Sequence, residues 1–144
     1  LVGLPGDVIQ FIDGEIYLNN NQIFRTVINK SDELYCGPKK IAVITYEEKL
    51  PNGKNYLASY RKDYTFMNSE KYIVPENHFF FLGDNRDCSK DSRFLDEVGY
   101  VHQNNLVGKA QILFFSSDPR VASIFNFTKW KNSIRLKRFF KKLI

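Results

Sequence analysis

An all-β fold, antiparallel sheets forming a twisted sandwich or open barrel with a short C-terminal helix, is what this sequence predicts. Three observations carry the prediction. Two β-rich runs flank Asp13-Gly14 and two more flank Pro51-Asn52-Gly53-Lys54, and Asp-Gly and Asn-Gly are the dipeptides that tight hairpin turns favour. The 13 Phe and 8 Tyr, together with the Val and Ile, suit strands better than helices. Gly and Pro turns punctuate the chain at short intervals.

The elements follow in order. Leu4-Pro5-Gly6-Asp7 reads as a tight turn, since Pro presets φ at its first central position and Gly tolerates positive φ at its second. Val8 to Ile12 and Glu15 to Leu18 make the first hairpin, and Asn19-Asn20-Asn21 turns the chain into Gln22 to Val27. The polar stretch Ile28 to Lys40, which holds Cys36-Gly37-Pro38, reads as a loop or small elaboration. Ile41 to Leu50 and Tyr56 to Tyr60 form a second hairpin, and residues 61 to 70 a connection. Tyr72-Ile73-Val74 is expected to pair with Phe79-Phe80-Phe81-Leu82 around Pro75-Glu76-Asn77-His78, the Phe run being apolar enough for burial on both faces. Val107 to Phe115 reads as a final long strand, with Gly108 marking a bulge or a close backbone approach. At the end, Leu136, Phe139, Phe140 and Leu143 fall on one side at helical spacing, with Arg138, Lys141 and Lys142 off that face. Such a helix could pack on the sheet or touch an anionic membrane surface, and the two are compatible.

The 144 residues suffice for one core, with 43% hydrophobic and 26% charged residues as in an ordinary globular protein. The formal charge of +5 is unevenly spread. Arg120, Lys129, Lys131, Arg135, Lys137, Arg138, Lys141 and Lys142 meet no acid in the tail, while the residues upstream hold 13 basic groups against 16 acidic ones. The basicity belongs to Arg120 and, above all, to residues 129–144, a basic amphipathic tail on a body spanning residues 1–128. That argues against nucleic-acid binding, which wants a basic face on the folded body. Cys36 and Cys88 have no CxxC or Cys/His spacing, so neither a zinc site nor a disulfide framework is implied. No apolar run reaches the roughly 18 to 20 residues needed to span a bilayer. Leu1-Val2-Gly3 is neither a signal peptide nor an initiator start, and reads as a cut.

Chemistry concentrates in Gly83 to Arg93, where Asp84, Asp87, Asp91, Arg86, Arg93, Lys90, Ser89 and Ser92 crowd into one loop after a hydrophobic strand. A binding or catalytic loop and a self-satisfied loop, with its charges paired to each other, both fit that density. Calcium does not fit, because the aspartates miss the alternating ligand pattern and Arg86 would stand among them. A Ser-His-Asp triad does not fit either. Only His78 and His102 could act as base, and no nucleophile elbow surrounds Ser89 or Ser92. Ser89 and Lys90 are neighbours on an extended segment and should point apart.

Gly3-Leu4-Pro5-Gly6-Asp7 and Gly83-Asp84-Asn85-Arg86-Asp87 with Ser89, Asp91, Ser92 and Arg93 resemble two signature boxes of bacterial type I signal peptidases. Leu50 to Lys54, Val74-Pro75-Glu76 and Asn105 to Ala110 are similar to the family as well. The resemblance covers nearly the whole chain and is weakest over residues 25 to 40; residues 25–70 read as variable loops or a small insertion. It implies a membrane-anchored serine endopeptidase at the outer face of the cytoplasmic membrane. Its substrates would be preprotein signal peptides; it would use no cofactor or metal, and the tail could reach lipid. In that family a Ser is the nucleophile and a neutral Lys the general base, which requires burial to lower the lysine pKa. By resemblance, Ser89 hydrogen-bonds the lysine amine, Gly83 leaves room beside it, Asp84 pairs with the Arg that follows the Lys, and Asp91 and Arg93 form a salt bridge. The family's Lys-Arg pair falls two residues before the position of Val2, and its Ser further upstream, so this chain by itself is expected to be inactive. A truncated non-catalytic β domain, as a gene remnant or interaction module, is the alternative. Cys88 stands where the family usually has Asn, which suggests an oxidation-sensitive thiol if exposed.

Overall fold

Asp13 and Gly14 both adopt positive φ, 51° and 79°, and close a hairpin between β1 (Val8–Ile12) and β2 (Glu15–Leu18). The computed structural model describes residues 1–117 and 134–143. Its strands form open antiparallel sheets, with no closed barrel among the described residues. The register Ile9↔Leu18 and Phe11↔Ile16 places all four side chains on the buried face, as strand alternation requires. β3 (Asn21–Gln22) and β7 (Tyr72–Ile73) complete this sheet in the order β3-β2-β1-β7. Ile23, Tyr72, Val74, Phe80 and Val2 fill the core beneath it. Gly3 and Phe80 bridge, and a Cβ on Gly3 would stand 2.5 Å from the Ile9 side chain. Only glycine permits that approach.

A second sheet holds β4 (Arg25–Cys36), β5 (Lys39–Lys49) and β6 (Asn55–Arg61) in that order. The loop expected over Ile28 to Lys40 is therefore mostly strand. β4 is solvated along most of its length, so its polar residues carry no hydrophobic alternation, and irregularities near Asn29 to Asp32 break its period further. Gly37, at φ 61°, turns β4 into β5. The hairpin expected between residues 72–74 and 79–82 is also replaced. β7 pairs with β1, and β8 (His78–Phe79) pairs with β9 (Val101–His102). Of the Phe run only Phe80 is fully buried; Phe79, Phe81 and Leu82 are half-buried.

Contacts divide the chain into a unit of Leu1–Leu106 and a unit of Val107–Ile144. In the second unit the long strand expected from Val107 to Phe115 shrinks to β10 (Ile112–Leu113), paired with β11 (Lys141–Lys142). The terminal helix is a single 3-10 turn, Leu136–Arg138, after which Phe140 at φ 54° leads the chain into β11. So short a helix forms few hydrogen bonds for the residues it fixes, and here strand pairing supplies Leu113 and Gln111 as acceptors for Phe140 and Leu143. The boundary expected at 128/129 lies outside the described residues, as do Arg120, Lys129 and Lys131. Among the described residues no helix is long and apolar enough to cross a membrane.

Candidate functional site

The loop from Gly83 to Arg93 leaves the core at Phe80 and is held at both ends by its own polar side chains. At its start, the Gly83 amide donates to Asp91 Oδ2 at 2.8 Å, while Ser59 of β6 donates its amide to the Asp84 carbonyl at 2.7 Å and bridges Asn85. At its end, Ser92 is fully buried, donates its amide to the Phe81 carbonyl and accepts the Phe81 amide on Oγ. The buried Asp91 carboxylate takes Arg93 Nε at 2.8 Å and Arg93 Nη2 at 2.9 Å. Arg93 also donates to the Arg86 carbonyl and lies over the rings of Phe11 and Phe66. Such bidentate geometry suits Arg and would be lost with Lys.

Between these ends sits a 3-10 turn, Arg86–Cys88. Asp87 accepts from the Arg61 amide, Thr65 Oγ1 and the Phe66 amide, and so ties down the connection after β6. Arg86 points the other way. It donates to the Gly83 carbonyl, to Tyr60 Oη at 2.8 Å, to Tyr56 Oη at 3.1 Å and to Glu48 Oε2 at 2.6 Å. Both phenols donate to Glu48 in turn, Tyr56 at 2.7 Å and Tyr60 at 2.5 Å. Arg86 and Glu48 are each only 1% exposed. Burial opposes the Arg86 charge, but Tyr60, Glu48 and Tyr56 outweigh it and hold its pKa above the ordinary value. Burial likewise pushes both phenols upward, with Arg86 opposing and Glu48 assisting.

Ser89 follows this turn, half-buried, with its side chain in the space where Gly83 has none. A Cβ on Gly83 would lie 1.9 Å from Ser89 Oγ and 2.3 Å from Ser89 Cβ. Gly83 is thus a requirement of space, since its φ lies outside the left-handed region. Asp84 is exposed and accepts the Asn85 amide; the Arg that the resemblance sets opposite it is not part of these residues. Lys90 leans outward to Glu97 at 2.5 Å, away from Ser89. His78 and His102 stack edge to face against each other, with centroids 4.9 Å apart. Among the described residues no group of three or more His, Cys, Asp or Glu could hold a metal.

The other signature box braces the same core. Asp7 accepts the Leu4 amide on Oδ2 and Asn19 Nδ2 on Oδ1, and Gly6 donates its amide to the Val74 carbonyl.

Two features escaped the sequence. Cys36 and Cys88 form a disulfide, Cα atoms 5.5 Å apart, which corrects the reading of Cys88 as a thiol. Their 52-residue separation gives no local cue; β4, read as a loop from Ile28 onward, brings Cys36 to the site. Glu48 is the second. Nothing adjacent distinguishes it from Glu47, although Tyr56 and Tyr60, four apart on β6, share the face that Glu48 meets in register.

Comparison with known proteins accords with this geometry. The profile of the family described as signal peptidase, peptidase S26, matches residues 1–115. The chain is 38% identical to the signal peptidase I of Rickettsia typhi (strain ATCC VR-144 / Wilmington) over an alignment of 159 residues, covering 99% of this chain and 58% of that protein. It is 38% identical to the signal peptidase I of Rickettsia prowazekii (strain Madrid E), with the same coverage. For the signal peptidase I of Rickettsia bellii (strain OSU 85-389) the identity is 37%, covering 99% of this chain and 53% of that protein. No solved structure matches significantly. The chain thus spans between half and three fifths of the length of these relatives. A family profile over most of the chain and relatives aligned to nearly all of it agree, and the chain belongs to the signal peptidase family, peptidase S26.

Proposed function

We propose that this chain is the carboxy-terminal part of the catalytic core of a membrane-bound serine endopeptidase that removes signal peptides from exported preproteins. The nucleophilic Ser and the general-base Lys belong to the polypeptide upstream of Leu1. The lysine is neutral when it takes the serine proton, and apolar walls lower its pKa to make that possible. Ser89 hydrogen-bonds the lysine amine and orients it, so Ser89 is a positioning residue. The observation that carries this reading is the Ser89 side chain lodged in the space of Gly83, on a loop clamped by Asp91 and Arg93. No cofactor enters the mechanism. The domain works on the outer face of the cytoplasmic membrane, and a disulfide is the kind of bond that persists in an oxidising compartment. Residues 129–144 supply a basic contact to lipid.

The test is cleavage of a preprotein after small-x-small sites by the full-length polypeptide. Ser89→Ala is expected to lower kcat by roughly 2- to 12-fold, the worth of one hydrogen bond, with circular dichroism unchanged. An unchanged rate removes Ser89 from the mechanism, and no cleavage by the unaltered full-length protein favours a non-catalytic β domain.

A further inference from the structure

We propose that the Cys36–Cys88 disulfide is a positioning clamp for Ser89, which makes turnover sensitive to thiol reduction. The inference rests on the role given to Ser89 above. Four observations support it. Cys88 is the residue immediately before Ser89, and its sulfur is bonded to the last residue of β4. Among the described residues neither the Ser89 nor the Lys90 amide donates a hydrogen bond, and the Lys90 side chain is 72% exposed toward Glu97. The peptide that carries Ser89 is therefore not fixed by its own backbone. Finally, the ties from the loop to the three-stranded sheet act at Asp84 to Asp87: Ser59 and Arg61 of β6, Glu48 of β5 through Arg86, and the Tyr35 carbonyl of β4, which accepts Asn85 Nδ2 at 3.5 Å. The disulfide to β4 carries the attachment on to Cys88, next to Ser89. Asp87 and Arg86 hold the turn before Cys88, and Asp91 holds the segment after Lys90, so the disulfide fills the one unheld interval.

Reduction by dithiothreitol is chemically balanced. One reductant thiolate attacks one cysteine sulfur and forms a mixed disulfide, while the other cysteine leaves as a thiolate and takes a proton. The second reductant thiolate then closes the cyclic disulfide and releases the first cysteine. Cys36 and Cys88 gain two electrons and two protons, and the reductant is oxidised. Both cysteines are only half-buried, which gives a small thiol access.

The experiment uses the full-length polypeptide, oxidised and then reduced without unfolding, with the thiol count checked by alkylation and mass. Reduction is expected to lower kcat for preprotein cleavage several-fold with KM held within about twofold, and by no more than Ser89→Ala does. Reoxidation restores the rate. Cys36→Ser reproduces the reduced rate without reductant, and adding Cys88→Ser lowers it no further, because the same single bond is missing. In a Ser89→Ala background reduction changes nothing further. That last result separates positioning from general support, since a loosened fold would slow both backgrounds alike. An unchanged kcat with both thiols free overturns the proposal, as does a fall that persists in Ser89→Ala or free thiols in the oxidised preparation. If the oxidised full-length protein cleaves no preprotein, the proposed function fails and the clamp is judged by hydrogen exchange. A larger gain in exchange at the hydrogen-bonded Cys88 and Gly83 amides than at Phe11 and Ile16 on reduction supports it, and an equal change at all four overturns it.

Discussion

Removing Glu48 strands a buried charge. In Glu48→Ala the Arg86 guanidinium, 1% exposed, keeps only the Gly83 carbonyl and two phenol oxygens, and both phenols lose the acceptor they now share. Deleting one member of a buried ion pair destabilises by about 3 to 5 kcal/mol. With a urea slope of roughly 2 kcal/mol per molar, the unfolding midpoint of the full-length protein should fall by about 2 M. Glu48→Gln keeps one acceptor oxygen and the side-chain volume, and should lose less. The double variant Glu48→Met, Arg86→Met removes both charges together and should recover most of the loss. Equilibrium urea unfolding at pH 7, followed by circular dichroism, measures all three. The reasoning is refuted if Glu48→Ala shifts the midpoint by less than about 0.5 M, or if the double variant is as unstable as the sum of Glu48→Ala and Arg86→Met.

Alkaline titration should expose the same cluster. Burial holds the Tyr56 and Tyr60 phenols neutral well above their ordinary pKa of 10.0. Their contribution is complete below pH 10, where the unfolded phenols are still protonated. It is lost as pH rises above that value, by about 1.4 kcal/mol per pH unit for each. A flat stability profile from pH 9 to 12 would argue against it. Gly83→Ala places a methyl in the Ser89 side chain, and should displace that side chain, destabilise by about 1 to 3 kcal/mol and lower kcat at least as far as Ser89→Ala. Wild-type kinetics in that variant would show that the space is not needed. Cys36→Ser should also cost stability, up to about 4 kcal/mol from the chain entropy of a 52-residue separation, read as a lower urea midpoint. The 144 residues alone should leave a preprotein uncut; cleavage by them would contradict the placing of nucleophile and base upstream.

The two motifs stood out in the sequence because each is contiguous and closes on itself. Leu4 to Asp7 is a turn whose residues bond one another, and Gly83 to Arg93 carries its own clamp in Asp91, Arg93 and Ser92. The strands β1, β2, β5 and β6 were legible for a related reason, since each hairpin has a turn dipeptide or an alternating face to announce it. β4 had neither. Its long solvated stretch hides the period of two, and the misreading concealed the disulfide as well, because Cys36 is delivered to the loop by that strand. The Phe run misled in the opposite sense. Four apolar residues in a row looked like one buried strand, whereas the chain uses them in turn for β8, for the bridge to Gly3 and for the approach to the loop.

By itself the sequence determined the family, the β1–β2 and β5–β6 hairpins, and the loop in which polar chemistry is concentrated, since each depends on neighbours in the chain. The tertiary structure alone decided which distant groups meet that loop. Glu48 reaches Arg86 across 38 residues and Cys36 reaches Cys88 across 52. Neither pairing has a local signature, because each is selected by burial and by strand register, which exist only once the sheets have formed.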